Sequence, residues 1–512
     1  MASQDDVLAP ETLQEAALAA AGRTVSLFAG YDCVGGEPRS PAVTGSEISG
    51  GATSSVNVSV CEGLVELSEA LRIDQSLSVD FAGVAKVDQK MEFVKKQKAT
   101  EQTLSIVVYA RHESGSTTAR DTKLSVEPTR PGIAAFVAAH GDSYVDSVVH
   151  GGEYYGVYTF RTQTNEQQES LKASLKANGI YSGVSASVTL GVEIDKFAKA
   201  THTAWTFDQS VSGIANPELP TREQLVDYAI GFPKLPLDRP VVVAFTTSGY
   251  EHVPGFDARE LGFTPVVTNR RYFVGAGVDG GLTKSLVQIA SLENTTNWLK
   301  GIYACYRYAG DTALDGFAAQ LLADRHAVSA QFIAYDDDPL QAFAQPELPS
   351  LKQGMPVLNF EKGTAGPWGG SDGGPFDYGN IEEALQSQRR LVELRLRSGQ
   401  YVDGLTFTYH DMHGRGQPEV HGGGGGGDHN PLSLDSNEFV TSVKVRSGTW
   451  VDWMRVATSS GASIEGGGGG GGEHSFELPD GAVVLGFQGR SGVQIDAIQV
   501  VWAKLKPAQF KK

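Results

Sequence analysis

Sulfur is scarce in this chain: three cysteines, Cys33, Cys61 and Cys305, stand among 512 residues. Three thiols cannot build a disulfide framework, and no Cys/His spacing matches a zinc site, so neither staples nor metal is expected to hold the fold. Whether Cys33 and Cys61 are bridged or all three are buried thiols stays open from the sequence. Positive charge is also short, with 42 Lys and Arg against 60 Asp and Glu, a formal net charge of −18. That excess opposes polyanions, which excludes non-specific binding to nucleic acid and bulk attraction to anionic lipid. No run of 18 apolar residues occurs, so no transmembrane helix is expected. The opening MASQDDVLAPETLQ lacks the apolar stretch of a signal peptide. The expectation is a soluble protein, released or secreted without a visible leader.

What the chain has in excess is glycine, 61 residues, of which 30 fall in residues 363–512. So local an excess marks a separate domain. Five prolines between residues 336 and 367, with little periodicity around them, read as a linker. The expected division is an α+β domain over 1–335, a Pro-rich linker over 336–363 and an all-β domain over 364–506.

The C-terminal region repeats itself. SGQYVD (398–403), SGTWVD (447–452) and SGVQID (491–496) share Ser-Gly-x-x-x-Asp, and each is followed by a strand-like run. Glycine clusters recur three times as well, as WGGSDGG (368–374), HGGGGGGD (421–428) and EGGGGGGGE (465–473). Three copies of strand, GxxxD, strand and glycine loop predict three small Greek-key sheets about a pseudo-threefold axis, a β-prism.

GPWGGSDGGPFDYG at the start, the repeated GxxxD and LGFQGRSGVQIDAIQVVW at the end resemble the jacalin-related lectins, particularly their mannose-binding branch. The resemblance implies a hexose held by the GxxxD loop, the Asp accepting from sugar hydroxyls and backbone N–H groups donating, beside a glycine loop that approaches closely. By position it assigns Gly492, Val493, Gln494 and Asp496 to one site with Gly373 and Gly374. A second site takes Gly399 to Asp403 with the loop ending at Gly427, and a third takes Gly448 to Asp452 with the loop ending at Gly472. Unbroken runs of six and seven glycines lose more entropy on ordering than a mixed loop, so the Asp496 site ranks first.

The N-terminal region carries no catalytic constellation, and no enzyme activity, cofactor or metal is expected. RYFVGAGVDGG (271–281) has a GxGxxG spacing but no clear second buried strand after it, and reads as a turn. In VSASVTLGVEI, Val184, Ala186, Val188, Leu190, Val192 and Ile194 alternate with polar residues. Such a run suits either a membrane-spanning β-strand or an ordinary strand with one buried face. The helical pattern TNEQQESLKASLKANG (164–179) precedes it.

HGDSYVDSVVHGGEYYGVYTF (140–160) places Gly141 and Tyr144 ahead of six residues and then Gly151-Gly152. This resembles the signature of the membrane-attack-complex/perforin (MACPF) family, with His140, Asp142 and Ser143 departing from it. The resemblance implies a bent antiparallel sheet and two helical clusters, here near 84–103 and 162–200, that refold into membrane hairpins. The expected protein is a pore-forming toxin, monomeric in solution, that binds cell-surface glycans of mannose or glucose type and assembles a homo-oligomeric ring on a target lipid membrane. Its rival is a non-lytic lectin with a MACPF-like scaffold.

Overall fold

A computed structural model of the chain describes residues 25–71, 93–94, 96–100, 103–161, 168–169, 171–173, 205–221, 224–275, 281–308, 310–411 and 414–511. Val184, Ala186, Val188, Leu190, Val192 and Ile194 lie outside the described residues, as does most of both expected helical clusters. The chain divides into two units, Met1–Thr295 with Phe317–Gly354, and Thr296–Gly316 with Met355–Lys512.

Among the described residues the N-terminal unit holds one sheet of β1 (Gly30–Asp32), β2 (Glu37–Arg39), β3 (Val43–Gly50), β4 (Ser54–Glu62), β5 (Thr103–Leu124), β6 (Ser143–Arg161), β7 (Trp205–Ser212) and β8 (Val241–Gly249). Its ladders are antiparallel, and β5 and β6 form the spine, paired from Thr103↔Arg161 to Thr118↔Ser147. Leu104, Ile106, Val108 and Ala110 enter one apolar cluster, while Val107 and Tyr109 enter another. Side chains alternate across a strand, so a run this apolar is a strand buried on both faces.

The spine changes partners midway. On β5, β4 pairs as far as Ser54↔His112 and β3 takes over from Gly50↔Ser116; on β6, β8 ends at Gly151↔Val241 and β7 begins at Glu153↔Ser212. Gly151 and Gly152 sit at this changeover. A Cβ on Gly151 would fall 2.2 Å from the His112 carbonyl oxygen, and one on Gly152 would fall 2.6 Å from Leu237 Cδ2. Backbone and side chain crowd the pair, which only glycine tolerates.

The segment expected to be a linker is not one. A helix runs from Thr312 to Asp337, and the next strand starts at Met355. Between them, Asn269 Nδ2 donates to the carbonyls of Pro339 and Gln341, both at 2.8 Å, and Tyr272 Oη and Gln331 Nε2 donate to that of Ala344 at 3.0 and 2.9 Å. The boundaries 1–335, 336–363 and 364–506 are therefore corrected: proline content marked irregular backbone, and side chains distant in sequence pin it in place. The GxGxxG stretch follows the helix Thr264–Val274 and precedes the helix Gly281–Cys305, so it joins helices rather than a strand to a helix. All three cysteines are free thiols.

The C-terminal unit is three sheets around one core. Its strands are β9 (Met355–Gly369), β10 (Gly374–Phe376), β11 (Arg390–Ser398), β12 (Val402–Asp411), β13 (Gly414–Arg415), β14 (Glu419–Gly422), β15 (Gly427–Asp428), β16 (Leu432–Ser433), β17 (Val440–Ser447), β18 (Val451–Thr458), β19 (Ser463–Gly467), β20 (Gly472–Glu477), β21 (Ala482–Ser491) and β22 (Ile495–Lys511). The orders β10-β21-β22-β9, β13-β12-β11-β15 and β19-β18-β17-β20 each place a hairpin between two outer strands, the Greek-key arrangement of a β-prism. Leu394, Phe407, Val443, Met454, Phe487 and Val500 bring all three sheets into one apolar cluster.

That core has a stopper the sequence did not announce. The end of the helix Gly281–Cys305, the turn after it and the start of the helix Thr312–Asp337, together residues 296–316, contribute Leu299, Ile302, Tyr303, Tyr306 and Leu314 to it. Tyr303 Oη donates to the Lys506 carbonyl at 2.9 Å, and Tyr306 Oη to those of Ala384 and Arg389 at 2.9 and 2.8 Å. Asp311 is buried and accepts from the backbone N–H groups of Ala313, Leu314 and Ala508. One carboxylate thus caps a helix and ties it to β22. Asp311→Ala removes the cap and leaves a buried strand N–H unmet, so it is expected to destabilise the C-terminal unit by about 2–3 kcal/mol. The measurement is urea unfolding followed by a probe within that unit.

Candidate functional site

The three Ser-Gly-x-x-x-Asp segments adopt one backbone conformation. The N–H of Gly399, Gly448 and Gly492 donates to the carbonyl of Tyr401, Trp450 and Gln494, at 3.0, 3.0 and 2.9 Å. Ser398, Ser447 and Ser491 each follow a register shift in the hairpin and lie opposite Gly427, Gly472 and Gly374. A one-residue bulge at an aspartate-bearing turn re-aims the side chains just beyond it. Here it points Asp403, Asp452 and Asp496 at the neighbouring glycine loop.

The glycine loops answer with matching contacts. The N–H of Gly370, Gly423 and Gly468 donates to the main-chain carbonyl of Asp496, Asp403 and Asp452, each at 2.8 Å. Cβ atoms on Gly373, Gly426 and Gly471 would fall 2.3, 2.5 and 2.5 Å from Oδ2 of those same aspartates. All three have positive φ, at 68°, 63° and 70°. Both close approach and left-handed backbone therefore demand glycine there. Gly374, Gly427 and Gly472 head the strands that follow the loops, and no atom crowds them below 3.9 Å. Gly425, Gly426, Gly470 and Gly471 face the carboxylates instead. A run of identical residues carries no mark of its own register, so the sequence could not choose among them. The loops of six and seven glycines nonetheless take the same backbone pattern as the first.

The carboxylates are nearly buried, at 8% exposure for Asp403, 9% for Asp452 and 4% for Asp496. Oδ2 of Asp496 is fully enclosed and has no hydrogen-bond partner among the described residues. An enclosed carboxylate oxygen without a donor is costly unless something else supplies one. Val493 at 82% and Trp450 at 36% exposure stand on the rims of their sites.

The repeat extends one residue further toward the N-terminus, for Arg397, Arg446 and Arg490 precede each Ser-Gly. Arg490 donates to the carbonyls of Asp372 and Gly373 at 2.9 and 2.7 Å. Arg397 donates to those of Gly424, Gly425 and Gly426 and pairs with Asp428 at 2.6 Å. These guanidinium groups stiffen loops that have few side chains of their own. Arg446 instead lies 3.6 Å from Glu473.

Each loop also leans on the next site. Cβ atoms on Gly370, Gly423 and Gly468 would fall 2.3, 2.5 and 2.5 Å from the carbonyl oxygens of Thr449, Val493 and Gln400. The three sites therefore form a closed ring at one end of the unit. Histidines pack behind the ring, with His421 stacked on Phe376 at 4.0 Å, His474 on Trp368 at 6.0 Å, and His429 bonded to Ser398 Oγ at 2.7 Å. Burial holds His421 below its ordinary 6.5.

In the N-terminal unit, Gly141 has φ 78° and Tyr144 packs in an apolar cluster with Phe136 and Tyr250. Asp142, which departs from the MACPF pattern, is wholly buried and accepts from Ser143 Oγ at 2.6 Å, and Arg270 donates to its main-chain carbonyl at 2.8 Å. Burial first, and then the charge of Asp32, push its carboxyl up to about 6.

Residues 365–501 match the Jacalin-like lectin domain family, and the C-terminal unit carries a jacalin-like lectin domain. Similar solved structures include Malaysian banana lectin, at 22% identity over 29% of this chain and 99% of that one, with a TM-score of 0.24. AcmJRL, a mannose-binding jacalin-related lectin from Ananas comosus, is 21% identical over 28% and 99%, TM-score 0.24. An artocarpin–mannotriose complex is 20% identical over 28% and 97%, TM-score 0.25.

Two predictions separate the roles of these residues. Gly426→Ala, strained in φ and 2.5 Å from Asp403 Oδ2, is expected to distort site two, while Gly424→Ala, with nothing within 4 Å, leaves it intact. Crystal structures of the two variants, or glycan titration of each, check this. For His421, a depressed pKa means the folded state favours neutral imidazole, so its stabilisation is full above 6.5 and is lost as pH falls through the folded value. His421→Phe keeps the stack and is expected to reduce the fall in Tm between about pH 8 and pH 5.

Proposed function

We propose, from a jacalin-like lectin domain at residues 365–501, that this chain binds hexoses of mannose or glucose type at Asp403, Asp452 and Asp496 and catalyses nothing. The observation that carries the proposal is the threefold cradle: Asp403, Asp452 and Asp496 each lie against a glycine of positive φ, Gly426, Gly471 and Gly373, and each holds the same loop through its own carbonyl. A sugar hydroxyl donates to the carboxylate, and backbone groups of both loops complete its hydrogen bonds. Three such sites on one chain gain avidity on a dense glycan surface even where each alone is weak. That gain offsets the repulsion between an anionic membrane and a net charge of −18.

We further propose that the N-terminal unit is a MACPF-like module that oligomerises on the membrane so reached and inserts β-hairpins, acting as a cytolysin released in soluble form. What supports this is the location of Gly151 and Gly152 where the outer strands of the β5–β6 spine change, together with the signature-like spacing from Gly141. A glycine pair at a partner change lets the sheet bend there with no side chain of its own to resist the bend. The second reading, a non-lytic lectin on a scaffold of this fold, is favoured by the buried Asp142–Ser143 pair standing where the MACPF signature has other residues.

Two measurements decide. Asp496→Ala is expected to weaken binding of methyl α-mannoside more than Asp403→Ala or Asp452→Ala, and equal losses would contradict the ranking. Vesicles bearing mannosylated lipid are expected to leak dye with the wild-type chain and to stay sealed with the triple Asp→Ala variant. Sugar binding without leakage at any concentration removes the pore and leaves the scaffold reading.

A further inference from the structure

Two residues before each site aspartate stand Tyr401, Trp450 and Gln494, on backbones that superpose in their hydrogen bonding. Their side chains break the symmetry. Tyr401 and Trp450 meet edge to face, with ring centroids 5.2 Å apart and planes at 66°. The glycine loop of site three leans on Gln400, so sites two and three share this wall. The loop of site two leans in the same way on Val493, and the residue after it is Gln494, which is not aromatic.

Trp450 is the one aromatic among the exposed large apolar side chains of the described residues. An exposed indole loses hydration free energy, and a T-shaped partner holds its orientation without covering both faces. A hexose ring presents one face made largely of C–H groups, which lies flat against an aromatic face while its hydroxyls point outward to polar groups. The aspartate cradle takes the hydroxyls of one sugar and has no apolar surface to offer a second.

We propose that Tyr401 and Trp450 form an aromatic subsite shared by sites two and three, which takes the sugar linked to the one held at Asp403 or Asp452. The chain then reads oligosaccharides at that junction and single terminal hexoses at Asp496. This rests on the hexose-binding reading above.

The test is titration calorimetry of the full chain carrying Asp496→Ala, so that sites two and three report, with methyl α-mannoside and with mannotriose. Mannotriose is expected to bind the tighter. Adding Trp450→Ala is expected to weaken mannotriose about tenfold, the worth of one aromatic face, while methyl α-mannoside changes by less than about twofold. Trp450→Phe is expected to restore most of the difference, which a loop that merely collapsed without the indole does not do. Equal weakening of both sugars, or mannotriose binding no tighter than the monosaccharide, overturns the subsite. Loss of all binding in Asp496→Ala alone overturns it too and leaves the lectin reading standing. A wild-type chain that binds neither sugar overturns both.

Discussion

A carboxylate withdrawn from water keeps its appetite for donors, and in the C-terminal unit it is set against backbone that has no Cβ to fill the space or side chain to satisfy it. Most other features of that end derive from this constraint. Close approach requires glycine at 373, 426 and 471, and a left-handed backbone requires it again. Loops with few side chains need support from elsewhere, and Arg397 and Arg490 give it by binding their carbonyls. The bulge before each Ser-Gly aims the aspartate, and the aspartate's own carbonyl fastens the loop. The same few atoms thus build the site and hold its walls.

The N-terminal sheet uses glycine for a different end. At Gly151 and Gly152 the crowding comes from the His112 backbone and the Leu237 side chain rather than from a carboxylate. Beside the changeover, Arg111 pairs with Glu153 at 2.7 Å and donates to the Val243 carbonyl at 3.0 Å, a buried charge pair whose loss leaves a charge without compensation. The corner is therefore both tightly filled and held by charge. Any rearrangement there has to separate that pair.

The sequence made the threefold repeat plain because Ser-Gly-x-x-x-Asp carries distinct side chains at fixed intervals. Registration inside six or seven identical glycines is invisible for the opposite reason, and only the structure shows that Gly426 and Gly471 lie against the carboxylates while Gly427 and Gly472 begin the next strands. The arginines were legible, one position before the motif, and were overlooked because charge on a strand reads as solvated surface. The linker misreading has another cause. Proline content is a local property, whereas Asn269 and Tyr272 fasten residues 339–344 through contacts about seventy residues away in the chain. For the helical stopper at 296–316, an apolar helix face does not say which core it serves.

The closed ring in which each loop leans on its neighbour has a mechanical consequence. A body tethered at one point pivots freely, and at two points it still rocks about the line joining them. Three tethers at one end make a tripod, which fixes the tilt of the body that stands on it. Were all three cradles of the C-terminal unit occupied at once, its tilt would be set by them with no further contact.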